Sequence, residues 1–233
     1  MVVRIAPEPG AASHFGLRMS AGEFLALPES HVRYELVDGV AIVSPSPGFW
    51  HQKIVFEICR QIDDHLRQHP VGEVVSDIDV KLRDDLVYRP DVVFLSAAKA
   101  ARVDERITEP PDLVVEVISA DSRSFDTQTK RADYEAAGVA ECWLIDPERQ
   151  SMRFLVLEGG RYREATVAGD KYASVALPGF ELDLGRDRRL FAAFQSPVSS
   201  EGDALTSELL ESNERFRKLV ARSKARARTP FGA

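Results

Sequence analysis

Two continuous aliphatic runs place the tightest limit on how this chain can fold. VVFL at residues 92–95 and LVVEVI at residues 113–118 lack the polar alternation of a strand with one wet face. Strands of this kind are covered on both faces and lie in the middle of a sheet. Glu116 stands inside the second run, so a central strand is predicted to carry a buried carboxylate.

Helices are predicted before and after these strands. Apolar residues recur at steps of four from Ile54 to Leu66, which is one stripe of an amphipathic helix. A second helix is predicted from Ser124 to Ala137, with Gly138 as its C-terminal cap. Further short strands follow this helix. The order predicts an α/β fold with a mixed central β-sheet flanked by helices.

Three local patterns precede the aliphatic runs. Ser20 and Glu23 have the spacing of a capping box at the start of a short helix. A hairpin is predicted over residues 32–44, because Asp38-Gly39 favours a tight turn. The alternating stretch at residues 75–83 predicts one strand with one wet face, on which Asp77 and Asp79 would lie.

We divide the chain into a loosely ordered segment over residues 1–19, a folded domain over residues 20–195, and a C-terminal linker with a basic amphipathic helix over residues 196–233. No secretory signal pattern or membrane-length apolar run is present, which predicts a cytoplasmic protein without a membrane partner. Cys59 and Cys142 lie far apart in apolar stretches and are interpreted as reduced core thiols.

The C-terminal tail differs in charge from the rest of the chain. Seven Lys and Arg residues stand against Glu214 alone after residue 213, while the whole chain has a net charge of −7. The acidic body argues against broad attraction to phosphates, unless metal ions or the tail supply positive charge. Leucines and Phe216 form a heptad-like stripe from about Thr206, which predicts a helix that could pair two copies as a homodimer.

An unpaired buried carboxylate at Glu116 would cost several kcal/mol, so it needs a partner. Asp91 begins the preceding aliphatic strand, and neighbouring strand ends could bring the two carboxylates together. Such oxygen ligands, with waters and the main-chain carbonyl of Val117, suit Mg²⁺ or Mn²⁺. The alternative is that Asp91 caps a turn and Glu116 forms an internal salt bridge, for example with Lys130.

Several common site motifs are absent from the sequence. It contains no Gly-rich phosphate loop, no Gly-x-Ser-x-Gly elbow and no Cys-x-x-Cys pair. These absences argue against nucleotide-binding, serine-hydrolase and zinc-ribbon functions.

The ordered motifs YELVDG, RPDVVFL, PDLVVEVIS and AGVAECWLIDP, with a lysine-bearing helix before the last, resemble the Uma-type family of restriction endonucleases. That family belongs to the PD-(D/E)XK nuclease superfamily, and the resemblance covers roughly residues 20 to 185. It implies a restriction-endonuclease-like core and Mg²⁺-dependent or Mn²⁺-dependent hydrolysis of DNA phosphodiester bonds. The partners it implies are DNA and a divalent metal.

The resemblance implies roles for four residues of this chain. Asp91 and Glu116 match the acidic pair of the superfamily, where they bind the metal and act in catalysis. Ile118 occupies the usual position of the lysine, and Lys130 on the following helix matches the place from which Uma-type proteins draw it. Glu35 matches an early glutamate that could add a metal ligand. The alternatives are a solvated Lys130 and a Glu35 that faces water.

His51 stands where the family often has histidine, at the start of a helix, and could contact a phosphate. Gln52 is a weaker candidate of the same kind, and a purely structural role for His51 is the alternative. Two other functions remain open at this point. One is a catalytically silent module that keeps the nuclease fold for interactions, and the other is a metal-dependent phosphodiesterase acting on RNA.

Overall fold

The computed structural model describes residues 14–194, except residues 29, 31, 45, 121 and 168. The helices are α1 (Ala21–Leu25), α2 (Phe49–Leu66), α3 (Ala97–Ala100), α4 (Arg131–Ala137) and α5 (Leu184–Phe194), and a π-helical segment (Phe125–Lys130) leads into α4. The strands are β1 (Tyr34–Val37), β2 (Val40–Val43), β3 (Gly72–Ser76), β4 (Val80–Arg83), β5 (Leu86–Tyr88), β6 (Val92–Ser96), β7 (Leu113–Val117), β8 (Glu141–Asp146), β9 (Ser151–Glu158), β10 (Arg161–Glu164), β11 (Lys171–Ala173) and β12 (Glu181–Asp183). Among the described residues, no helix has the length and apolar composition needed to cross a membrane.

A six-stranded mixed sheet forms the centre of the molecule, with the strand order β10-β9-β8-β7-β6-β3. β7 and β8 run parallel, and the other neighbouring strands are antiparallel. The two aliphatic runs are β6 and β7, in the interior of this sheet. The predicted α/β class and the predicted central strands are therefore confirmed.

Each face of β7 packs against a different layer. Val115 and Val117 pack with the buried face of α2, the β11-β12 pair and α5. Val114 and Ile118 pack on the opposite side with residues of the hairpin and α4. Because side chains alternate along a strand, Glu116 points to this second side.

A second sheet, with the order β2-β1-β5-β4, lies on the side to which Glu116 points. The predicted hairpin is confirmed, and both residues of its turn have positive φ, 49° at Asp38 and 73° at Gly39. The capping box between Ser20 and Glu23 is present at α1. Main-chain hydrogen bonds join Gly16, Leu17 and Met19 to the hairpin. The described part of the N-terminal segment therefore lies alongside β2.

The single strand predicted over residues 75–83 is wrong. Asp77 adopts a positive φ of 55°, and the chain turns there from β3 in the central sheet to β4 in the second sheet. Asp79 is buried and does not face solvent. Arg89 and Arg106 compensate its charge, with contacts to its carboxylate at 2.8 and 3.5 Å. Polar alternation alone did not reveal these arginine partners.

The two flanking helices are confirmed. The predicted apolar stripe of α2 is buried, and Gly138 ends α4 in the left-handed conformation at φ 81°. The π-helical segment and α5 were not predicted. The tail helix and the homodimer that it would form lie outside the described residues.

Glu141 shows how this protein satisfies a structural carboxylate. It is fully buried at the start of β8, and it accepts five hydrogen bonds of 2.7 to 2.9 Å from Trp143, Tyr172, Ser174 and the main-chain amides of Val175 and Ala176. Neutral donors therefore surround both of its oxygens. This site ties the segment before β12 to the central sheet.

Asp187 on α5 is predicted to make folding stability depend on pH. Both carboxylate oxygens are buried without a hydrogen-bond partner among the described residues. Burial, with Glu57 on α2 and Asp183 nearby, raises the pKa of Asp187 to about 7 against the weaker opposing effect of Arg186 and Arg189. Between pH 5 and pH 8 the folded state binds more protons than the unfolded state at this carboxyl. Its contribution to the free energy of unfolding therefore falls by roughly 2 to 3 kcal/mol as the pH rises over that interval.

Urea unfolding of the wild type and Asp187→Asn at pH 5 and pH 8 measures this effect. The amide cannot ionise, so the variant should gain stability relative to the wild type as the pH rises. An equal pH dependence in the two proteins would contradict the prediction.

Candidate active site

A cavity of about 460 Å³ opens where the end of β7, the start of α2, β1 and the π-helical segment meet. It contains every candidate side chain of the sequence analysis except one. The titratable groups on its wall include Glu35, His51, Asp91, Glu116, Asp126 and Lys130. Gln52 is exposed and does not line the cavity.

Glu116 lies at the inner end of the cavity and is 3% exposed. Lys130 Nζ lies 3.3 and 3.4 Å from its two carboxylate oxygens, and the Tyr134 hydroxyl donates to Oε1. The burial predicted for Glu116 is therefore correct. The internal salt bridge with Lys130, considered as the alternative partner, is also present.

Lys130 lies at the last position of the π-helical segment and is itself buried. Its Nζ is 3.0 Å from Glu35 Oε1 and 3.8 Å from Asp126 Oδ1 in addition to its contact with Glu116. The ring of Tyr88 covers the ammonium group at 5.3 Å from the ring centroid. π-helical turns occur often at functional sites, and this one directs a lysine inward.

Glu35 is held in place from two directions. It is 3% exposed on β1, and its Oε1 accepts a hydrogen bond of 3.0 Å from the Arg89 main-chain amide as well as contacting Lys130. Glu35 is therefore buried at the cavity wall and does not face water, as the alternative would require. Its role as a metal ligand stays a prediction.

Asp91 lies across the sheet from Glu116. Val92 pairs with Val115 in the antiparallel ladder of β6 and β7, so the next step of the register sets Asp91 opposite Glu116 on one face. Asp91 Oδ2 accepts a hydrogen bond of 2.7 Å from the Val117 amide and lies 3.3 Å from His51 Nε2. The structure does not support the alternative in which Asp91 caps a turn, because its carboxylate accepts from the amide of Val117 on the neighbouring strand.

His51 connects α2 to this site. His51 Nε2 lies 3.3 Å from Asp91 Oδ2, and the buried Nδ1 atom has no hydrogen-bond partner among the described residues. The His51 ring lines the cavity. Its contact with a phosphate stays a prediction.

The carboxylates of Glu35, Glu116 and Asp126 contact the Lys130 ammonium group at 3.0 to 3.8 Å, and Asp91 acts on it at longer range. We call these four acids the carboxylate cluster. Burial raises the pKa of Glu116 well above its ordinary value, with Lys130 opposing and Asp126 and Asp91 adding to the shift. Burial raises the pKa of Asp126 to about 6. Burial alone would lower the pKa of Lys130, but the cluster holds it well above its ordinary value. Lys130 therefore stays charged, while burial favours the protonated forms of Glu116 and Asp126.

Two members of the site were missed from the sequence. Asp126 lies four residues before Lys130, and Tyr134 lies four residues after it. That spacing places all three on one helical face, which was a usable signal. Tyr134 is fully buried, and its hydroxyl orients Glu116.

Comparison with known proteins places the chain in a family. A model of the Uma2 family, described as "Putative restriction endonuclease", matches residues 21–185. The chain belongs to the Uma2 family. No curated protein matches this Uma2 chain in sequence.

A solved structure resembles the fold of this Uma2 protein. It is described as a "putative nuclease belonging to DUF820" from Anabaena variabilis, and it matches with a TM-score of 0.63 at 18% identity. The match covers 74% of this chain and 99% of the other. At this identity the likeness concerns the fold, and it agrees with the predicted restriction-endonuclease-like core.

The cavity fits a hard divalent cation by the chemistry of its donors. Asp91 and Glu116 offer carboxylate oxygens on one face, and Lys130 is the only Lys or Arg that forms an ion pair with the cluster among the described residues. Within residues 14–194 and their stated gaps, no group of three or more His, Cys, Asp or Glu side chains has metal-binding geometry. Mg²⁺ commonly takes only one or two carboxylates and completes its shell with waters and phosphates. The residues present therefore suit Mg²⁺ or Mn²⁺ better than a metal that needs a closed protein cage.

Proposed function

We propose that this Uma2 protein is a Mg²⁺-dependent or Mn²⁺-dependent endonuclease that hydrolyses DNA phosphodiester bonds. The observation that carries the proposal is the carboxylate cluster, which places four acids around one lysine in an open cavity. Glu141 provides the internal comparison, because neutral donors alone satisfy that structural carboxylate. The cluster is not satisfied in this way, because one lysine is shared among its carboxyls, and their oxygens suit a cation brought in with a phosphate.

Asp91 and Glu116 would hold the metal ion, with Glu35 and the Val117 main-chain carbonyl as further candidate ligands. When bound, the ion would polarise the phosphate and lower the pKa of a coordinated water. Each protein group then has a separate task. The Val117 amide fixes the Asp91 carboxylate, and the Tyr134 hydroxyl fixes that of Glu116.

Lys130 would orient the attacking water and stabilise charge on the phosphate as it develops. Its raised pKa keeps it an ammonium group, so it donates hydrogen bonds and does not act as a general base. His51 would hold the Asp91 carboxylate in place through its Nε2 atom, which lies 3.3 Å from Asp91 Oδ2, and would contact a phosphate at the cavity wall. The mechanism thus assigns charge stabilisation to the lysine and positioning of Asp91 to the histidine.

A cleavage assay tests this function. Purified full-length chain is incubated with supercoiled plasmid, linear duplex, single-stranded DNA and RNA, each with Mg²⁺, with Mn²⁺ and with EDTA. The proposal expects DNA cleavage with metal and none with EDTA. Cleavage of RNA alone would instead support an RNA phosphodiesterase, and no cleavage of any substrate would support a silent interaction module.

A further inference from the structure

The exposed face of α2 carries large aromatic side chains beside the mouth of the cavity. Phe49 is 70% exposed and Phe56 is 64% exposed. Lys53, also exposed, lies between them, so the three residues follow one another at spacings of four and three on one helix face. We call Phe49, Lys53 and Phe56 the α2 stripe. Phe49 also lines the cavity, so the stripe begins at the site itself.

The charge of this region differs from that of the whole protein. Residues 49–56 contain Lys53 and no Asp or Glu, whereas the chain has a net charge of −7. The helix N-terminus adds partial positive charge, since Gly48 provides no side-chain cap for the first amides. Aromatic rings can contact the bases of a nucleic-acid strand, and the positive charge of Lys53 and of the helix N-terminus can contact its phosphates.

We propose that the α2 stripe binds unpaired nucleotides of the DNA strand that enters the cavity. Aromatic rings bind nucleic acid by stacking on the faces of bases, which are accessible in single strands and covered in an intact duplex. Phe49 and Phe56 lie about 10 Å apart along the helix axis, so they can contact separate nucleotides of one strand. Lys53 lies between them and can pair with the intervening phosphate.

This inference rests on the proposed nuclease function. It narrows the substrate to DNA that is single-stranded, frayed or looped near the scissile bond. A protein partner or a second copy of the chain could also cover an exposed aromatic face. Nucleic acid is favoured over a protein partner or a second copy for three reasons. Lys53 lies in the stripe, residues 49–56 contain no Asp or Glu, and Phe49 lines the cavity.

Trp50 provides a reporter of binding that does not depend on cleavage. The chain has two tryptophans, and Trp143 is fully buried in the core. Trp50 lines the cavity and contacts the Phe49 ring edge-to-face at 5.2 Å between centroids. A base that stacks at Phe49 should therefore quench the fluorescence of Trp50, and the signal should disappear in Trp50→Phe.

The experiment titrates full-length protein with oligothymidine and with a duplex of equal length, in Ca²⁺ buffer, and follows both tryptophan fluorescence and anisotropy of the labelled DNA. Phe49→Ala and Phe56→Ala should each weaken oligothymidine binding about tenfold, with a smaller effect on the duplex. Phe15→Ala is the matched control, because Phe15 is 44% exposed and does not line the cavity. Lys53→Gln should reduce the salt dependence of binding.

Unchanged oligothymidine binding in both phenylalanine variants would overturn the inference, as would an equal loss on duplex and single strand. A change from dimer to monomer in Phe56→Ala, with DNA binding intact, would assign the stripe to pairing of two copies and overturn it too. Cleavage in Mg²⁺ is scored separately. Cleavage of duplex DNA, without preferential binding of oligothymidine, would contradict this inference and leave the nuclease function intact. Binding that depends on the α2 stripe, without cleavage, would contradict the nuclease function and leave the binding site intact.

Discussion

Asp91→Asn and Glu116→Gln are each expected to lower metal-dependent DNA cleavage at least about a thousandfold, because metal and charge stabilisation supply several kcal/mol of the barrier reduction. Both substitutions keep the size of the side chain and its carbonyl oxygen. Asn at position 91 can still accept from the Val117 amide, and Gln at position 116 can still accept from Tyr134. The fold should therefore persist while the negative charge is lost.

The comparison uses initial rates on plasmid DNA and thermal unfolding of the same preparations. Glu148→Gln is the matched control, because Glu148 lines the same cavity, is 56% exposed and pairs with Arg123 outside the cluster. This control should cleave at the wild-type rate. Wild-type cleavage in a purified Asp91→Asn, Glu116→Gln double variant would eliminate the proposed metal ligands.

Lys130→Met is expected to lower the free energy of unfolding by about 3 to 5 kcal/mol at neutral pH, because it leaves buried carboxylates without their cation. Cleavage should be lost in the same variant. The carboxyls would then be held more protonated in the folded state than in the unfolded state. Since the folded state binds the extra protons, stability should rise as the pH is lowered from 7.5 towards 5.5.

Urea unfolding at these two pH values, for the wild type and Lys130→Met, measures the effect. Lys53→Met removes the same charge from an exposed position on α2 and should change stability by less than about 1 kcal/mol. A Lys130→Met protein as stable as the wild type at neutral pH would mean that the ammonium does not neutralise the cluster.

The sequence was sufficient for the parts of the fold that depend on local pattern. The unbroken aliphatic runs identified β6 and β7, and the steps of four identified the buried face of α2. The motif order identified the family and led to Asp91, Glu116 and Lys130, which all line one cavity. These features depend on residues close in sequence or on a recognisable series of motifs.

The misses have a common physical cause, because each depends on partners distant in sequence. Asp79 was expected to face water since its strand alternates, but Arg89 and Arg106 pair with it in the fold. Asp126 and Tyr134 acquire their roles only when the π-helical segment packs on β7 beside Glu116. Side-chain spacing could have suggested the pair, but the hydrogen bond from Tyr134 to Glu116 required the tertiary structure.

Titration calorimetry of Mg²⁺ and Mn²⁺ on the wild type and on Glu116→Gln tests the central claim most directly, namely that the buried carboxylate serves to hold a metal. The account predicts that the wild type binds the ion and that Glu116→Gln, still folded, loses this binding. Absence of binding in both proteins, or equal binding in the two, would contradict it and leave Glu116 as a structural partner of Lys130.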